Sequence, residues 1–459
     1  MDYSGKQALR RHRNRNWTLV LLFALLLAVA AGCGAQGDQA ASGGNGSGGA
    51  PSEANNGANG GTDDSGDGIG ETDADQEADN AASGSPSTPS DNEAGDAGDG
   101  AQSPSNGGSP TDSADSGGAA GPLGGAVTAL RLADDETGWV GGEGWIARTE
   151  DGGRKWTTVY EGDDIVRQIF ALDDQRVWAT LEAAQDEAAR TLLGSTDGGH
   201  TWMEIGEVPE GKFLHFVSEQ EAYSGSVQTR DGGRTWKRLR VPDGTAGEPY
   251  FHDRDNGWAV TAANGQFDIM RTTDGGQSWR SVKQGQFESP QLGGAIIRSA
   301  GEQDAWVELI GGSGMSQTSY SLFHTTDGGA TWIPVLANSG AGSGPAPGYA
   351  IGEEPDVPAN AGNGPGALYV ASEEVAFMGG QCLACDQANT LGKTTDGGNT
   401  WTNLDAEYPG YGEQHLAAAD AQHVWWITTD HSEPSVMMTS ADGGSHWDKA
   451  FTFGSPDKQ

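Results

Sequence analysis

Two residue types in this 459-residue sequence sit at spacings that could do chemistry. The first is cysteine. Cys382-Leu383-Ala384-Cys385 has the spacing of a redox dithiol, of half a zinc site, or of a disulfide closing a hairpin. No second pair is present to complete a zinc site, and no βαβ pattern surrounds the motif. In an exported chain the reading is a structural disulfide between Cys382 and Cys385. The remaining cysteine, Cys33, ends an apolar run, directly after Ala30-Ala31-Gly32. The second type is the carboxylate, with 65 Asp plus Glu. Glycoside hydrolysis needs only two carboxylates at a suitable separation, and no pair stands out. Seven aspartates, however, recur in one fixed setting.

That setting is Ser/Thr-X-Asp-Gly-Gly-X-X-Trp. It occurs with Asp151 and Trp156, Asp197 and Trp202, Asp231 and Trp236, Asp274 and Trp279, Asp327 and Trp332, Asp396 and Trp401, and Asp442 and Trp447. Asp-Gly-Gly reaches positive φ at little cost, and the carboxylate can accept local backbone N–H bonds, so the motif predicts a turn between two strands. The tryptophan then opens the next strand as a large packing group. Such aspartates are scaffold, because the turn already uses their oxygens. Upstream pieces such as Gly138-Trp139-Val140-Gly141 and Gly257-Trp258-Ala259-Val260 read as strands. Four short strands per repeat emerge. The spacings bracket the roughly 40 to 50 residues of a propeller blade. Counting one blade per motif predicts an all-β, seven-bladed β-propeller over residues 123–459, with a Gly/Pro-rich insertion from about Ser339 to Pro365.

The rest of the chain is different. Lys6, Arg10, Arg11, Arg13 and Arg15 precede the apolar stretch Thr18–Ala31, the charge-then-hydrophobe order of a secretory signal. Fourteen helical residues rise only about 21 Å, short of a hydrocarbon core of roughly 30 Å. The sequence ending in Cys33 resembles the lipobox of bacterial lipoproteins, which implies lipidation of that thiol. Residues 1–32 are thus expected to be a lipoprotein signal peptide, and 33–122 a lipidated cysteine followed by a disordered linker. Between Gly34 and Pro122 there is no Lys or Arg, and Ile69 is the sole large apolar residue. Of the net charge of −39, this linker carries −16 and the repeats −27. Charge repulsion should extend the linker, and the summed field disfavours nucleic acid as a partner.

The repeated motif is similar to the Asp-box, or bacterial neuraminidase repeat, of sialidases, sortilin-type receptors and photosystem II stability/assembly factor-like propellers. The fuller pattern from Phe251 to Trp279 looks most like the assembly-factor group. That resemblance implies a non-enzymatic binding or assembly propeller. It also implies partner contact through arginines. Here the basic residues are densest at Arg230, Arg234, Lys237, Arg238 and Arg240, which also read simply as solvent-facing charges on an outer strand. The alternative is a carbohydrate-active hydrolase. Sialidase chemistry needs three arginines drawn from several blades, and no arginine follows Arg298. His415, His423 and His431 lack zinc-site spacing, and no EF-hand-like loop occurs, so no metal or cofactor is expected. The expectation is an extracytoplasmic protein, lipid-anchored to the cell membrane, whose partner is an envelope protein or a glycan.

Overall fold

The computed structural model describes residues 123–454 apart from 184–185, 289–290 and 382–386. The leader, Cys33, the linker, Cys382 and Cys385 therefore lie outside the described residues. Contacts group the chain into units 1–106 and 107–459, and every described residue belongs to the second.

The described chain is all strand and turn. β1 (Ala129–Leu132), β2 (Gly138–Thr149), β3 (Thr157–Ala171), β4 (Val177–Ala183), β5 (Asp186–Ser195) and β6 (Met203–Pro209) form one antiparallel meander in that order. β7 (Leu214–Phe216), β8 (Ala222–Ser224), β9 (Val227–Thr229) and β10 (Lys237–Arg238) form the second sheet. Four more four-stranded meanders cover residues 250–286, 294–338, 364–408 and 414–452.

The β-propeller has six blades, so the expectation of seven is corrected. The reason lies in β3. Its first half pairs with β2, Arg148 opposite Thr157 and Trp145 opposite Glu161, while its second half pairs with β4, Phe170 opposite Trp178. The link Glu161-Gly162-Asp163-Asp164 stays extended where a break between blades was expected. Two motifs thus share one six-stranded sheet, and motif count overstates blade count.

Packing between the first and last sheets closes the ring. Leu132, Val140 and Trp145 join Trp425, Ile427, Met437 and Phe453 in one core cluster. Val127 donates its N–H to Ser435 Oγ (3.2 Å), and its carbonyl lies 2.9 Å from His415 Nε2. Elsewhere fully buried aromatics fill the spaces between sheets, among them Trp258, Trp306 and Trp426, while Trp139 packs within the first sheet. The insertion after Asn338 packs against the third and fourth sheets: Ala346 is fully buried, Gly348 donates to the Gln286 carbonyl and Ser321 Oγ to that of Pro347.

Candidate ligand site on the propeller axis

One register position recurs around the axis. In each repeat a residue on an inner strand lies directly opposite a residue eight positions later. The pairs are Arg131 with Trp139, Phe170 with Trp178, His215 with Tyr223, Tyr250 with Trp258, Arg298 with Trp306, Tyr369 with Phe377 and Ala417 with Trp425. Cross-strand partners share a face, so each large buried aromatic props the inner residue against it. All but Ala417 line an axial cavity of about 720 Å³, within the range of small-ligand sites.

The two arginines are held in the same way. The Arg298 guanidinium lies 3.9 Å from the centre of the Phe213 ring and donates to the Ile297 carbonyl at 2.8 Å. Arg131 lies 4.5 Å from the Phe170 ring centre and donates to the Ala171 carbonyl at 3.2 Å. Neither takes part in any ion pair among the described residues. Burial works against the charge of Arg298, which the Tyr250 hydroxyl and Glu248 favour.

Between the arginines lie rings. His215 stacks on Tyr250 at 4.6 Å and 2°, and on Tyr223 at 5.5 Å. Burial drives the His215 imidazole down to about 3 and the Tyr250 phenol up to about 12, so both are neutral at physiological pH. Both guanidiniums act on each of these groups, which puts the two cations in one electrostatic neighbourhood. His252 Nδ1 lies 3.2 Å from Ser299 Oγ at the same cavity.

Two carboxylates line the cavity, those of Asp253 and Glu302. Asp253 accepts the N–H groups of Asp255 and Asn256, both at 2.8 Å; its burial opposes ionisation, yet these bonds hold the carboxyl below its ordinary value. Glu302 is exposed. Glu308, fully buried on the strand beside Arg298, does not line the cavity; burial pushes it up to about 8 although the Arg298 charge pulls the other way. Among the described residues no group of three or more His, Cys, Asp or Glu could hold a metal ion.

Six of the seven repeated aspartates lie at the turn into the last strand of a sheet; Asp151 lies at the turn from β2 into the shared strand β3. In every copy the Ser or Thr hydroxyl donates to Asp Oδ1 at 2.7–3.0 Å. The same hydroxyl accepts the second glycine's N–H at 2.7–3.2 Å. Asp Oδ1 accepts the N–H four residues on at 2.8–2.9 Å. The first glycine has φ of 68–75° and the second 81–98°, a region that side chains strain. Hydrogen bonds from the residue four positions on hold Asp197, Asp231, Asp327 and Asp442 down at about 2. Of the motif tryptophans only Trp156 is buried; the other six are half-buried.

The basic cluster lies on the outside of the second sheet, remote from the axial lining. Arg230, Arg234, Lys237, Arg238 and Arg240 are all exposed, around the turn and on the edge strand β10. Arg238 pairs with Glu210, and Arg234 donates to the Asp231 carbonyl at 2.7 Å.

No family model matches the chain, and no curated protein sequence matches it. Solved structures do resemble it in fold. YCF48 bound to D1 peptide is 15% identical with a TM-score of 0.43, covering 66% of this chain and 91% of that one. A xyloglucanase of family GH74 from Xanthomonas campestris is 15% identical with a TM-score of 0.47, covering 72% of this chain and 55% of that one. The lectin BP39L from Burkholderia pseudomallei is 11% identical with a TM-score of 0.44, covering 72% and 100%. Likeness at this level says nothing of activity.

Two features escaped the sequence reading. One is the axial ring, although the constant eight-residue spacing from inner residue to buried aromatic was there to be found. The other is a latch between consecutive repeats. The residue just before the motif's Ser/Thr reaches the first glycine's carbonyl in the next copy: Arg148 Nη1 to Gly198 at 2.9 Å, and Lys393 Nζ to Gly443 at 2.5 Å. His324 Nδ1 stands 2.8 Å from the Gly397 carbonyl in the same role.

Proposed function

We propose that this chain is a non-enzymatic binding or assembly-scaffold propeller, held outside the cell membrane by lipid on Cys33. In this reading residues 33–122 are the spacer and 123–459 the presenting domain. The observation that carries the non-enzymatic half is the make-up of the axial cavity. Its lining offers cations and aromatic rings, while Asp253 is spent on a turn, Glu302 is exposed, and the carboxyl with a raised pKa, Glu308, does not reach the cavity. A hydrolase needs a positioned acid and base in one site. The tether half rests on the basic, apolar and lipobox order of residues 1–33. YCF48, similar in fold, has been solved bound to D1 peptide. For this chain the partner is proposed to be an envelope protein or a glycan.

The test has two arms. Purified protein is screened against fluorogenic sialosides and common glycosides; turnover lost in Asp253→Asn or Glu302→Gln, with the fold intact, would overturn the proposal. In parallel, cells carrying wild type or Cys33→Ala are fed labelled palmitate and cross-linked. Label on wild type alone, with repeated capture of one envelope component and no turnover, is the expected result.

A further inference from the structure

We propose that the axial cavity binds a small organic acid, with one carboxylate held between Arg131 and Arg298 and a flat apolar body laid against the aromatic rings of the same register. This goes beyond the scaffold reading, because it holds whichever partner the outer surface engages.

Consider first the charge. A chain with 65 acidic and 26 basic residues has carboxylates in excess, and Arg167, Arg176, Arg190, Arg238 and Arg254 all take one. Arg131 and Arg298 do not, nor do the buried Arg271 and the exposed Arg154, Arg230, Arg234, Arg240 and Arg280; Arg131 and Arg298 are the two of these that line the axial cavity. A guanidinium has five N–H donors in a fork that matches a carboxylate. One carbonyl is served by each here, and Arg131 Nε is buried without a partner. The acidic groups around them are otherwise disposed. Glu248 accepts the Phe213 N–H at 3.1 Å and lies 3.6 Å from Lys212 Nζ. Asp253 caps a turn, Glu302 is exposed, and Glu308 is predominantly protonated at neutral pH. Two cations in one cavity, neither of them in an ion pair with the carboxylates nearby, are placed to take an anion.

The surroundings narrow the anion's nature. Phe170, His215, Tyr250 and Tyr369 occupy the same register as the arginines, and Phe213 stacks under Arg298. Flat rings receive flat apolar groups by stacking or edge contact. His215, neutral down to about 3, adds no charge, so the charged groups of the lining are Arg131 and Arg298 with the carboxylates of Asp253 and Glu302. The negative field of the molecule disfavours multiply charged ligands, which selects a single carboxylate over phosphate esters.

The experiment uses the full chain, with naphthoate as probe, naphthamide as its uncharged counterpart and inorganic phosphate as the alternative anion, read by calorimetry. Naphthoate should bind, with naphthamide and phosphate each weaker by roughly tenfold or more, as a charge-assisted fork contact implies. Arg131→Gln and Arg298→Gln should each weaken naphthoate by roughly tenfold, and Arg298→Lys by less than Arg298→Gln, since lysine keeps the charge without the fork. Arg240→Gln, out on the rim, should change nothing. No naphthoate binding, equal binding of naphthamide or phosphate, or full binding by folded arginine variants would overturn the proposal. If the variants fail to fold, the wild-type preference for naphthoate over naphthamide decides alone. Loss of naphthoate binding should leave capture of an envelope component untouched, so the two proposals fail separately.

Discussion

At the outer turns the repeats of this chain place the same atoms in the same places; at the axis they place Arg131, Phe170, His215, Tyr250, Arg298, Tyr369 and Ala417 at one shared register. The turn is uniform because every copy solves the same local problem. With two glycines at positive φ, the first glycine's N–H reaches a backbone carbonyl of the preceding loop, the second's reaches the Ser/Thr hydroxyl, and the N–H four residues after the aspartate reaches its carboxylate, each at a fixed offset. The inner position meets no such demand. It must only fit a cavity and lean on an aromatic partner, so its chemistry can differ from repeat to repeat. Uniformity therefore marks scaffold here, and variation within a fixed frame marks the candidate site.

That comparison can be broken at several points. The largest effect is expected behind the ring. Trp306 is fully buried, opposite Arg298, and stacks on His324 at 3.8 Å. Trp306→Ala should cost about 3–5 kcal/mol in urea unfolding, as large-to-small core changes do. The half-buried Trp279→Ala should cost less; equal losses would remove the distinction between inner and outer tryptophans.

Next comes the pH response of Glu308. Its folded pKa, about 8, lies above the ordinary 4.5, so its stabilisation is complete below 4.5 and is lost as pH rises through 8. His215, depressed from 6.5 to about 3, works in the opposite sense, contributing stability above 6.5 that is lost as pH falls. Above 6.5 the His215 contribution is complete, and the loss up to 8 comes from Glu308 together with His423, whose imidazole the hydrogen bond to Asp420 raises above its ordinary value. Glu308 should account for roughly 2 kcal/mol of the loss between 6.5 and 8 at 1.36 kcal/mol per pH unit, and the Glu308→Gln profile should be shallower by that amount. Parallel profiles would show that Glu308 is not buried as described.

Within the turns, Thr272 is almost fully buried, and its hydroxyl serves both the Gly276 N–H and Asp274. Thr272→Val should cost about 1–3 kcal/mol by leaving a buried donor unmet, without altering naphthoate binding. A change in binding would join the two regions that are separated here. Smallest of all, Arg240→Gln should leave stability within about 0.5 kcal/mol, because exposed charges contribute little.

Much of the fold was legible in the sequence. Asp-Gly-Gly followed by tryptophan announces a turn into a strand in any context, since its requirements are local. The all-β repeat character follows from it. Blade number did not follow, because counting motifs presumes a chain break after each one. Glu161-Gly162-Asp163-Asp164 instead continues as strand, and nothing local forbids that. The basic cluster at Arg230–Arg240 was conspicuous in sequence through proximity along the chain, yet it lies on an outer edge. Arg131 and Arg298 are separated by more than a third of the chain and carry no local signature.

What the sequence determined by itself is thus what neighbouring residues decide together: turns, strand alternation, the contrast between the acidic Gly/Ser-rich stretch and the aromatic repeats. Tertiary structure alone decided which inner residues meet. Arg131 and Arg298 share a cavity only because sheets distant in sequence are wrapped about one axis, and because Trp139 and Trp306 hold both side chains at the same register. Even Ala417, the small member of that register, is buried behind the ring by packing between the last sheet and the first.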